Sequence, residues 1–145
     1  MAAPARNKRS SMGESTVVIG TATLTVDESD LSDAVGSGDV PTLATPRIVA
    51  MVEQAARDAI RERLRGGQTT VGTYLEMRHT APTPAGMTVT ATVELRRGRG
   101  GMMEFAFRVE DQRELVASGT HRRVVVDRDS FIQRAGQKTA APQDA

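Results

Sequence analysis

The sequence predicts an α+β domain in which a five-stranded antiparallel sheet packs against one long helix. Apolar residues recur at three- and four-residue spacing in one long segment, and four segments of alternating polarity then follow one another across short turn signals. Strands that are joined by such short turns pair in antiparallel fashion. With 145 residues, the chain is long enough to bury one hydrophobic core, so we expect a single domain.

The first element is a strand, and an irregular loop follows it. Residues 17–26 are rich in threonine and β-branched residues and end at the acidic turn residues 27–30, which is typical of a strand. Residues 31–43 contain Gly36, Gly38 and Pro41 and show no sustained periodicity. We therefore expect this segment to be an irregular, mobile loop.

The helix begins near Thr45, where the apolar period changes. Thr45 is a plausible N-cap, Pro46 suits the first helical position, and Gly66 marks the end of a helix of about five turns. The apolar face that this spacing predicts consists of Ile48, Met51, Val52, Ala55, Ala59 and Ile60.

Four strands follow the helix, at residues 69–80, 88–96, 102–110 and 114–127. In each of the first three, alternation assigns one apolar face to the core. These faces consist of Val71, Thr73, Leu75, Met77 and His79 in the first strand, of Val89, Ala91, Val93 and Leu95 in the second, and of Met103, Phe105, Phe107 and Val109 in the third.

The last strand is apolar on both faces. Leu115, Ala117 and Val125 alternate onto one face, and Val116, Val124 and Val126 alternate onto the other. One helix covers about one helix width on one face of a sheet, so the second apolar face needs another layer. We expect a second copy of the chain to supply that layer in a homodimer.

The two ends of the chain differ from its middle in composition. Residues 1–15 are small, polar and basic, which predicts a disordered tail because such a segment buries too little surface to offset its ordering entropy. Residues 135–145 have a similar composition and predict a flexible C-terminal tail. The folded domain should therefore comprise residues 16–134.

The composition excludes several classes of function. A net charge of +1, one tyrosine, three phenylalanines and no tryptophan argue against nucleic-acid binding. No cysteine and two histidines are too few ligands for an ordinary zinc site, so we expect neither metal nor cofactor. No apolar run has the length of a membrane span or of a secretory signal, so the expected location is the cytoplasm, without membrane partners.

Three short motifs resemble those of a known family. Residues 51–55 (MVEQA) resemble a helix motif with an acidic residue, residues 79–86 (HTAPTPAG) a turn between the second and third strands, and residues 118–123 (SGTHRR) a segment of the last long strand. Together, and in this order, they resemble the hot-dog thioesterases, whose sheet is wrapped around one long helix. The chain is most similar to the fluoroacetyl-CoA thioesterase-like family of acyl-CoA thioesterases, over residues 17–138.

The resemblance implies a hot-dog fold, a dimer and cofactor-free hydrolysis of small acyl-CoA thioesters. It implies that Thr45, Glu53 and His79 form the catalytic constellation, that Gly72 offers a backbone amide to the thioester carbonyl, and that Arg123 orders the site. The chain departs from the family in its loop at residues 35–43, which holds no aromatic residue. Selectivity for the fluoroacetyl group is therefore not implied, and we expect several short acyl-CoAs to be substrates.

Each candidate residue also has a plain structural interpretation. Glu53 lies near Val49 and Ile60 on the helix flank, which disfavours its charged form as a base or nucleophile requires, yet it could simply pair with Arg57. His79 could be a structural histidine that bonds one carbonyl, and His121 could be a second such residue.

Two further groups leave the interpretation open as well. Thr45 could simply be an N-cap, which needs no other role. In a straight helix, eight residues and a rise of about 12 Å separate Thr45 from Glu53, so either the first turn is irregular or Thr45 contacts substrate or another subunit rather than Glu53. Five arginines could bind the phosphates of coenzyme A, or they could lie solvated at turn ends and sheet rims. They are Arg96, Arg97, Arg99, Arg122 and Arg123.

Two other functions compete with hydrolysis. One is a non-catalytic acyl-CoA-binding module on the same fold, and the other is a hydratase of related fold. A hydratase should pair an aspartate with a histidine in one loop, and no aspartate precedes His79 nearby. Release of free coenzyme A separates hydrolysis from both alternatives.

Overall fold

A computed structural model describes residues 17–140 and contains the expected antiparallel sheet. The five strands pair in the order β1-β3-β4-β5-β2, with every neighbouring pair antiparallel. The elements in chain order are β1 (Ile19–Thr25), α1 (Ser32–Val35), α2 (Thr45–Ile60), β2 (Gln68–His79), β3 (Thr88–Arg99), β4 (Met102–Glu110), β5 (Leu115–Asp127) and α3 (Arg128–Gln137), with 3-10 turns at Glu28–Asp30 and Arg61–Arg63. The predicted α+β class is confirmed.

The core lies between α2 and the concave side of the sheet. Its helical half matches the predicted apolar face except that Ala59 is half-buried and Ala56, which was not predicted, is buried. The buried residues of α2 are Ile48, Met51, Val52, Ala55, Ala56 and Ile60. Gly20 of β1 permits the close approach, because a Cβ there would overlap the carbonyl oxygen of Ala55. The inward residues of β3 and β4 complete the core as alternation predicts, and they include Val89, Ala91, Val93, Phe105, Phe107 and Val109.

The N-terminus of α2 differs from the prediction. Ala44, in extended conformation, is the N-cap, and Thr45 is the first helical residue without a capping bond from its side chain. The backbone leading into the helix is fixed by its neighbours, because Leu43 N–H donates to Thr83 O at 2.8 Å and Ala44 N–H donates to Asp30 O at 2.9 Å. The N-cap prediction for Thr45 is therefore wrong, and its hydroxyl is free for another partner.

The segment between β1 and α2 is more ordered than its glycines predict. Asp27 and Asp30 form a capping box around the first 3-10 turn, and the one-turn helix α1 follows. Leu31 and Leu43, both buried, form an antiparallel bridge across the base of the segment. The prediction of a wholly irregular loop is wrong at its base, while most of the residues between these two leucines are exposed.

A β-bulge at Thr73 changes which residues of β2 face the helix. The pairing with β5 shifts register between Gly72 and Tyr74. Before the bulge, the even-numbered residues Thr70 and Gly72 face the core, and they pair with Val125 and Arg123. After the bulge, the odd-numbered residues Leu75, Met77 and His79 face the core instead. The prediction that Val71 and Thr73 share the inner face is wrong, because uniform alternation cannot anticipate an inserted residue.

The last strand is less apolar on its outer face than predicted. The register of β4 and β5 shifts near Leu115, so that Leu115 is 45% exposed while Val116 and Ala117 are both buried. Val116 therefore belongs to the core and not to an outer apolar layer. Val124 and Val126 remain half-buried on the outer face.

A second substantial helix follows the sheet. Asp127 accepts a hydrogen bond from Ser130 N–H at 3.0 Å and caps α3, which continues through Gln137. The prediction of a single helix is wrong, because the polar composition of α3 hides its capping signal. This helix continues three residues past residue 134, where we expected the folded domain to end. The predicted basic tail and residues 141–145 lie outside the described part.

Candidate active site

Arg123 is the centre of a buried polar cluster between β2 and β5. It is 4% exposed, and the alternation of β5 turns its side chain toward α2. Its Nε donates to Thr70 Oγ1 at 2.9 Å and its Nη2 to the Thr70 carbonyl at 3.0 Å. Burial lowers the pKa of Arg123 and the Glu53 carboxylate opposes that effect. A guanidinium does not deprotonate in proteins, so the cluster holds a fixed positive charge.

Glu53, on α2, forms an ion pair with Arg123. Arg123 Nη1 donates to Glu53 Oε2 at 3.3 Å, and the Glu53 side chain is 42% exposed while that of Arg123 is 5% exposed. The sequence predicted apolar surroundings for this carboxylate. Instead, one of its oxygens is held beside a buried cation. Within residues 17–140, the ion pair of Glu53 is with Arg123 and not with its helical neighbour Arg57.

Gly72 provides the space for the carboxylate. A Cβ at this position would overlap Glu53 Oε2 and would lie 3.2 Å from Arg123 Nη1 and 3.3 Å from His121 Cε1. Real Cβ atoms are almost never found so close to a carboxylate oxygen. Gly72 is therefore required by the approach of Glu53 to the backbone of β2.

His121 completes the first cluster and is 1% exposed. Its Nδ1 lies 3.0 Å from the Tyr74 carbonyl, its Nε2 lies 3.2 Å from Arg123 Nη1, and its ring stacks on that of Phe105. Burial lowers the pKa of His121, the Tyr74 carbonyl raises it, Arg123 lowers it further and Glu53 raises it. We name these five residues, Thr70, Gly72, Glu53, His121 and Arg123, the carboxylate cluster.

Thr45 and His79 form a second polar group, at the junction of the start of α2 and the end of β2. Thr45 Oγ1 lies 2.8 Å from His79 Nδ1, and either atom can donate. This contact accounts for the absence of a capping bond from Thr45. We name the two residues the histidine pair.

The second nitrogen of His79 has no partner. Nε2 is buried and forms no hydrogen bond with the part of the chain that is described. Burial is the largest influence on the pKa of His79 and lowers it, with the backbone at Ala81 acting in the opposite direction. Beside the ring lies an open groove of about 260 Å³, lined by His79, Thr42, Thr80, Ala81 and Pro82. An uncharged imidazole with an unused nitrogen therefore stands next to a groove.

The two groups are well separated within one protomer. Along α2, Thr45 and Glu53 are eight residues apart, a rise of about 12 Å, and along β2 Gly72 and His79 are seven residues apart, roughly 20 Å. The structure therefore brings together Glu53, Gly72 and Arg123, and separately Thr45 and His79. It does not bring Thr45, Glu53 and His79 into direct contact in one copy of the chain.

Three of the remaining candidate arginines lie on the outer surface with acidic partners, and Arg99 is exposed at the end of β3. Arg96 pairs with Glu94 at 3.5 Å and Arg97 with Glu104 at 3.6 Å, and both arginine side chains are more than half exposed. Arg122 pairs with Glu104 at 2.9 Å and lies over the ring of Tyr74. These contacts agree with the interpretation that these arginines are solvated charges at the rim of the sheet.

Sequence reasoning missed Thr70 and the Tyr74 carbonyl. Thr70 holds Arg123 by two atoms, and Tyr74 holds His121 by its backbone. The sequence holds no signal for the first, because alternation placed Thr70 on the outer face and only the observed register of β2 and β5 makes it buried. A backbone acceptor that depends on a bulge leaves no sign in the side-chain pattern.

The described residues contain neither a metal-binding cluster nor a membrane-spanning helix. In residues 17–140, no three His, Asp or Glu side chains converge in a way that could hold a metal ion. None of the helices in that range is long and apolar enough to span a bilayer.

Comparisons with known proteins agree with the motifs. Residues 26–129 match the family of fluoroacetyl-CoA-specific thioesterases. The fluoroacetyl-CoA thioesterase of Streptantibioticus cattleyicolor is 37% identical over 98 residues, which are 68% of this chain and 70% of that protein.

Solved structures agree as well. A variant of a fluoroacetyl-CoA-specific thioesterase, in complex with fluoroacetate and CoA, has a TM-score of 0.79 and 29% identity over 83% of this chain and 98% of that chain. A hot-dog-like protein from Thermanaerovibrio acidaminovorans, at 24% identity and a TM-score of 0.77, covers 86% of this chain and 92% of its own and shares the fold. The expected hot-dog fold is confirmed.

Proposed function

This chain belongs to the family of fluoroacetyl-CoA-specific thioesterases, which are hydrolases of CoA thioesters, and we propose that it hydrolyses small acyl-CoA thioesters to free acid and coenzyme A, with Glu53, His79 and Thr45 as its catalytic residues. The observation that carries this proposal is the state of Glu53. Its carboxylate is fixed at one oxygen by a buried guanidinium and is nevertheless 42% exposed. A carboxylate in this state is oriented and accessible.

Glu53 acts on the thioester in one of two ways. It attacks the carbonyl carbon, which expels the thiolate and leaves an anhydride that water then opens. Alternatively, it takes a proton from a water that attacks the carbonyl carbon, and the thiolate leaves as the C–S bond breaks. Arg123 stabilises the ionised carboxylate in both routes. Turnover of a single equivalent in oxygen-18 water separates them, because the anhydride route can leave label in the Glu53 carboxylate.

Gly72 is suited to bind the thioester carbonyl oxygen. Val125 N–H donates to Gly101 O, on the side of β4, and alternation along β5 turns Arg123 N–H to the same side. Since Gly72 lies opposite Arg123, the Gly72 N–H points away from β5, toward the free edge of β2. An amide donor beside Glu53 would stabilise the negative charge that develops on the carbonyl oxygen.

His79 is suited to proton transfer during the same reaction. Burial keeps its imidazole uncharged near neutral pH, and the bond to Thr45 fixes the rotation of its ring. An uncharged imidazole can orient water or assist the departing thiolate. This role requires His79 to lie near a Glu53, which one protomer alone does not provide.

A homodimer would bring the two groups together. Among residues 17–140, β2 is an edge strand that pairs with β5 alone. Residues directly opposite in an antiparallel pair share a face, so β2 can pair with its own copy about an axis at Glu76. The extra residue of the bulge would then bring the partner's Gly72 close to His79 of the first protomer, at the end of the paired segment, where the Gly72 N–H stays free for substrate. Each dimer would hold two composite sites.

Mixing inactive variants tests the composite site. Purified Glu53→Gln and His79→Ala proteins are each expected to be inactive, and unfolding and refolding them together should restore about a quarter of wild-type activity, because half the dimers are mixed and each has one intact site. Refolding each variant alone is the control. If no activity returns although mixed dimers form, the two groups act within one protomer.

The substrate range should include several short acyl groups. The exposed segment between Leu31 and Leu43 has no aromatic side chain to fill the space around a very small acyl group. Steady-state release of free coenzyme A from acetyl-, propionyl-, butyryl- and fluoroacetyl-CoA measures this range. A preference above about a hundredfold for one acyl group over its one-carbon neighbours would contradict a permissive entrance.

The same assay tests the function itself. The alternative is a non-catalytic acyl-CoA-binding module, which would bind acyl-CoA without releasing coenzyme A. Calorimetric binding of acyl-CoA together with no coenzyme A release from any tested acyl-CoA would replace hydrolysis with this alternative.

A further inference from the structure

We propose that His121 is a positioning residue that aims the Arg123 guanidinium at Glu53 by accepting a hydrogen bond at Nε2. The inference rests on the proposed function, because its consequence is a correctly oriented Glu53 carboxylate. His121 does not touch the exposed side of Glu53 and acts through Arg123. Four observations on the carboxylate cluster carry it.

The first observation is how the hydrogens of Arg123 are distributed. Nε and Nη2 are engaged by Thr70, and Nη1 lies 3.3 Å from Glu53 Oε2 and 3.2 Å from His121 Nε2. Nη1 carries two hydrogens, so one meets each partner. Without an acceptor at His121, one of them would be buried without a partner, and the guanidinium would gain by turning away from Glu53.

The second observation is that both bonds of His121 require one tautomer. A guanidinium only donates, so Nε2 must accept and carries no hydrogen. A backbone carbonyl only accepts, so Nδ1, at 3.0 Å from Tyr74 O, must carry the hydrogen. The imidazole is therefore neutral, with its hydrogen on Nδ1. The positive charge of Arg123 and the burial of the ring both disfavour the doubly protonated form.

The third observation is that the ring has no freedom to move. His121 is 1% exposed and its ring is stacked on Phe105 at 6.1 Å between centroids, with an angle of 26° between their planes. Its lone pair therefore points in one direction, and the direction of Nη1 follows from it.

The fourth observation explains why Tyr74 offers its carbonyl reliably. Tyr74 directly follows the bulge at Thr73, and Thr73 Oγ1 donates to Arg122 O at 3.4 Å. On the outer face, the Arg122 guanidinium lies 4.5 Å from the centre of the Tyr74 ring and bonds Glu104. The bond of the Thr73 hydroxyl and the outer-face contacts of Arg122 thus hold the backbone that fixes His121.

Two amide variants separate the bonds of His121. Glutamine can set an amide oxygen near the position of Nε2 and accept from Arg123, whereas asparagine reaches only the position of Nδ1 and can bond Tyr74 alone. We expect His121→Asn to lower kcat by between about tenfold and a hundredfold with KM changed less than about threefold, and His121→Gln to recover most of that loss.

The comparison of the two variants decides the proposal. If asparagine and glutamine lower kcat equally, or neither does, or KM carries the loss, then His121 is a packing residue and the proposal is overturned. The melting temperatures of both variants are measured beside the rates. A loss of kcat that follows the melting temperature rather than the identity of the amide also overturns it.

The tautomer itself is measured on the wild-type protein, without substrate. Long-range proton–nitrogen NMR correlations should show His121 neutral, with its hydrogen on Nδ1, between pH 6 and 8. A hydrogen on Nε2 overturns the proposal even if the enzyme is active. If the tautomer is as expected and no coenzyme A is released from any acyl-CoA, the arrangement of His121 stands and the proposed function fails.

Discussion

The carboxylate cluster and the histidine pair differ in how completely their polar groups are satisfied. In the first, Arg123 is nearly enclosed and donates to Thr70, Glu53 and His121, and His121 uses both ring nitrogens. In the second, Thr45 and His79 share one hydrogen bond, and His79 Nε2 has no partner in the described chain. The described chain thus satisfies both ring nitrogens of His121, but only one ring nitrogen of His79.

This difference indicates that the two regions have different roles. A side chain that must keep one geometry is buried within its own protomer, as Arg123 is at 4% exposure. A group that must meet something outside its protomer keeps an unused atom, because a buried polar nitrogen without a partner costs free energy and calls for an explanation. The predictions below test whether the first region acts as a rigid unit and whether the second awaits a partner.

The largest expected effect is from Glu53→Gln. The amide preserves the shape but neither attacks a thioester nor accepts a proton from water, so kcat should fall by about a thousandfold or more with KM little changed. Coenzyme A release measures both. Glu62→Gln, at an exposed position beyond the end of α2, is the control and should keep wild-type rates. Near-normal turnover in a folded Glu53→Gln protein would remove Glu53 from the mechanism.

Gly72→Ala should follow, with a loss of about a hundredfold in kcat. The new methyl group occupies the position of Glu53 Oε2 and must displace the carboxylate from Arg123. Gly98→Ala is the matched control, since its nearest neighbour would be 3.6 Å away in ordinary contact. If Gly72→Ala keeps its rate, Glu53 works from a different position than the one it occupies beside Arg123.

A smaller effect is expected in the histidine pair. Thr45→Val preserves the volume and removes the hydroxyl that bonds His79 Nδ1, and should lower kcat by roughly five- to tenfold. Thr45→Ser retains the hydroxyl and should stay close to wild type. Equal rates for the valine and serine variants would show that the bond to His79 has no part in turnover.

The smallest effect is on stability as a function of pH. Burial lowers the pKa of both His79 and His121. Below the ordinary imidazole value near 6.5, the unfolded chain therefore takes up protons that the folded chain does not, and the free energy of unfolding falls as the pH falls. The slope is at most about 1.4 kcal/mol per pH unit for each histidine.

Single variants show how much each histidine contributes to the pH dependence of the free energy of unfolding. Denaturant unfolding between pH 5 and 6.5 is compared for wild type, His79→Phe and His121→Phe; the aspartates with lowered pKa values, Asp27, Asp111 and Asp127, titrate below this window. We expect His121→Phe to flatten the slope more, because His121 is fully enclosed and His79 is half-buried. The reverse order would contradict the comparison between the regions.

The sequence predicted well those features that depend on separating core from solvent. The apolar face of α2 and the inward residues of β3 and β4 are buried as their periodicity predicted. The motifs also named Glu53, His79 and Arg123 as candidates, and the family resemblance added Gly72 and Thr45; their catalytic roles remain predictions. These features are local, because a periodic pattern within ten residues already determines which side chains avoid water.

The tertiary structure alone decided which polar atoms meet. Arg123 bonds Thr70 and Glu53, which are 53 and 70 residues away along the chain. The bulge at Thr73 turns Gly72 and His79 to the same side of the sheet, and Thr45 bonds His79 instead of capping its helix. No local pattern encodes these contacts, because the register between distant strands sets the position of each donor, and one inserted residue reverses every face beyond it.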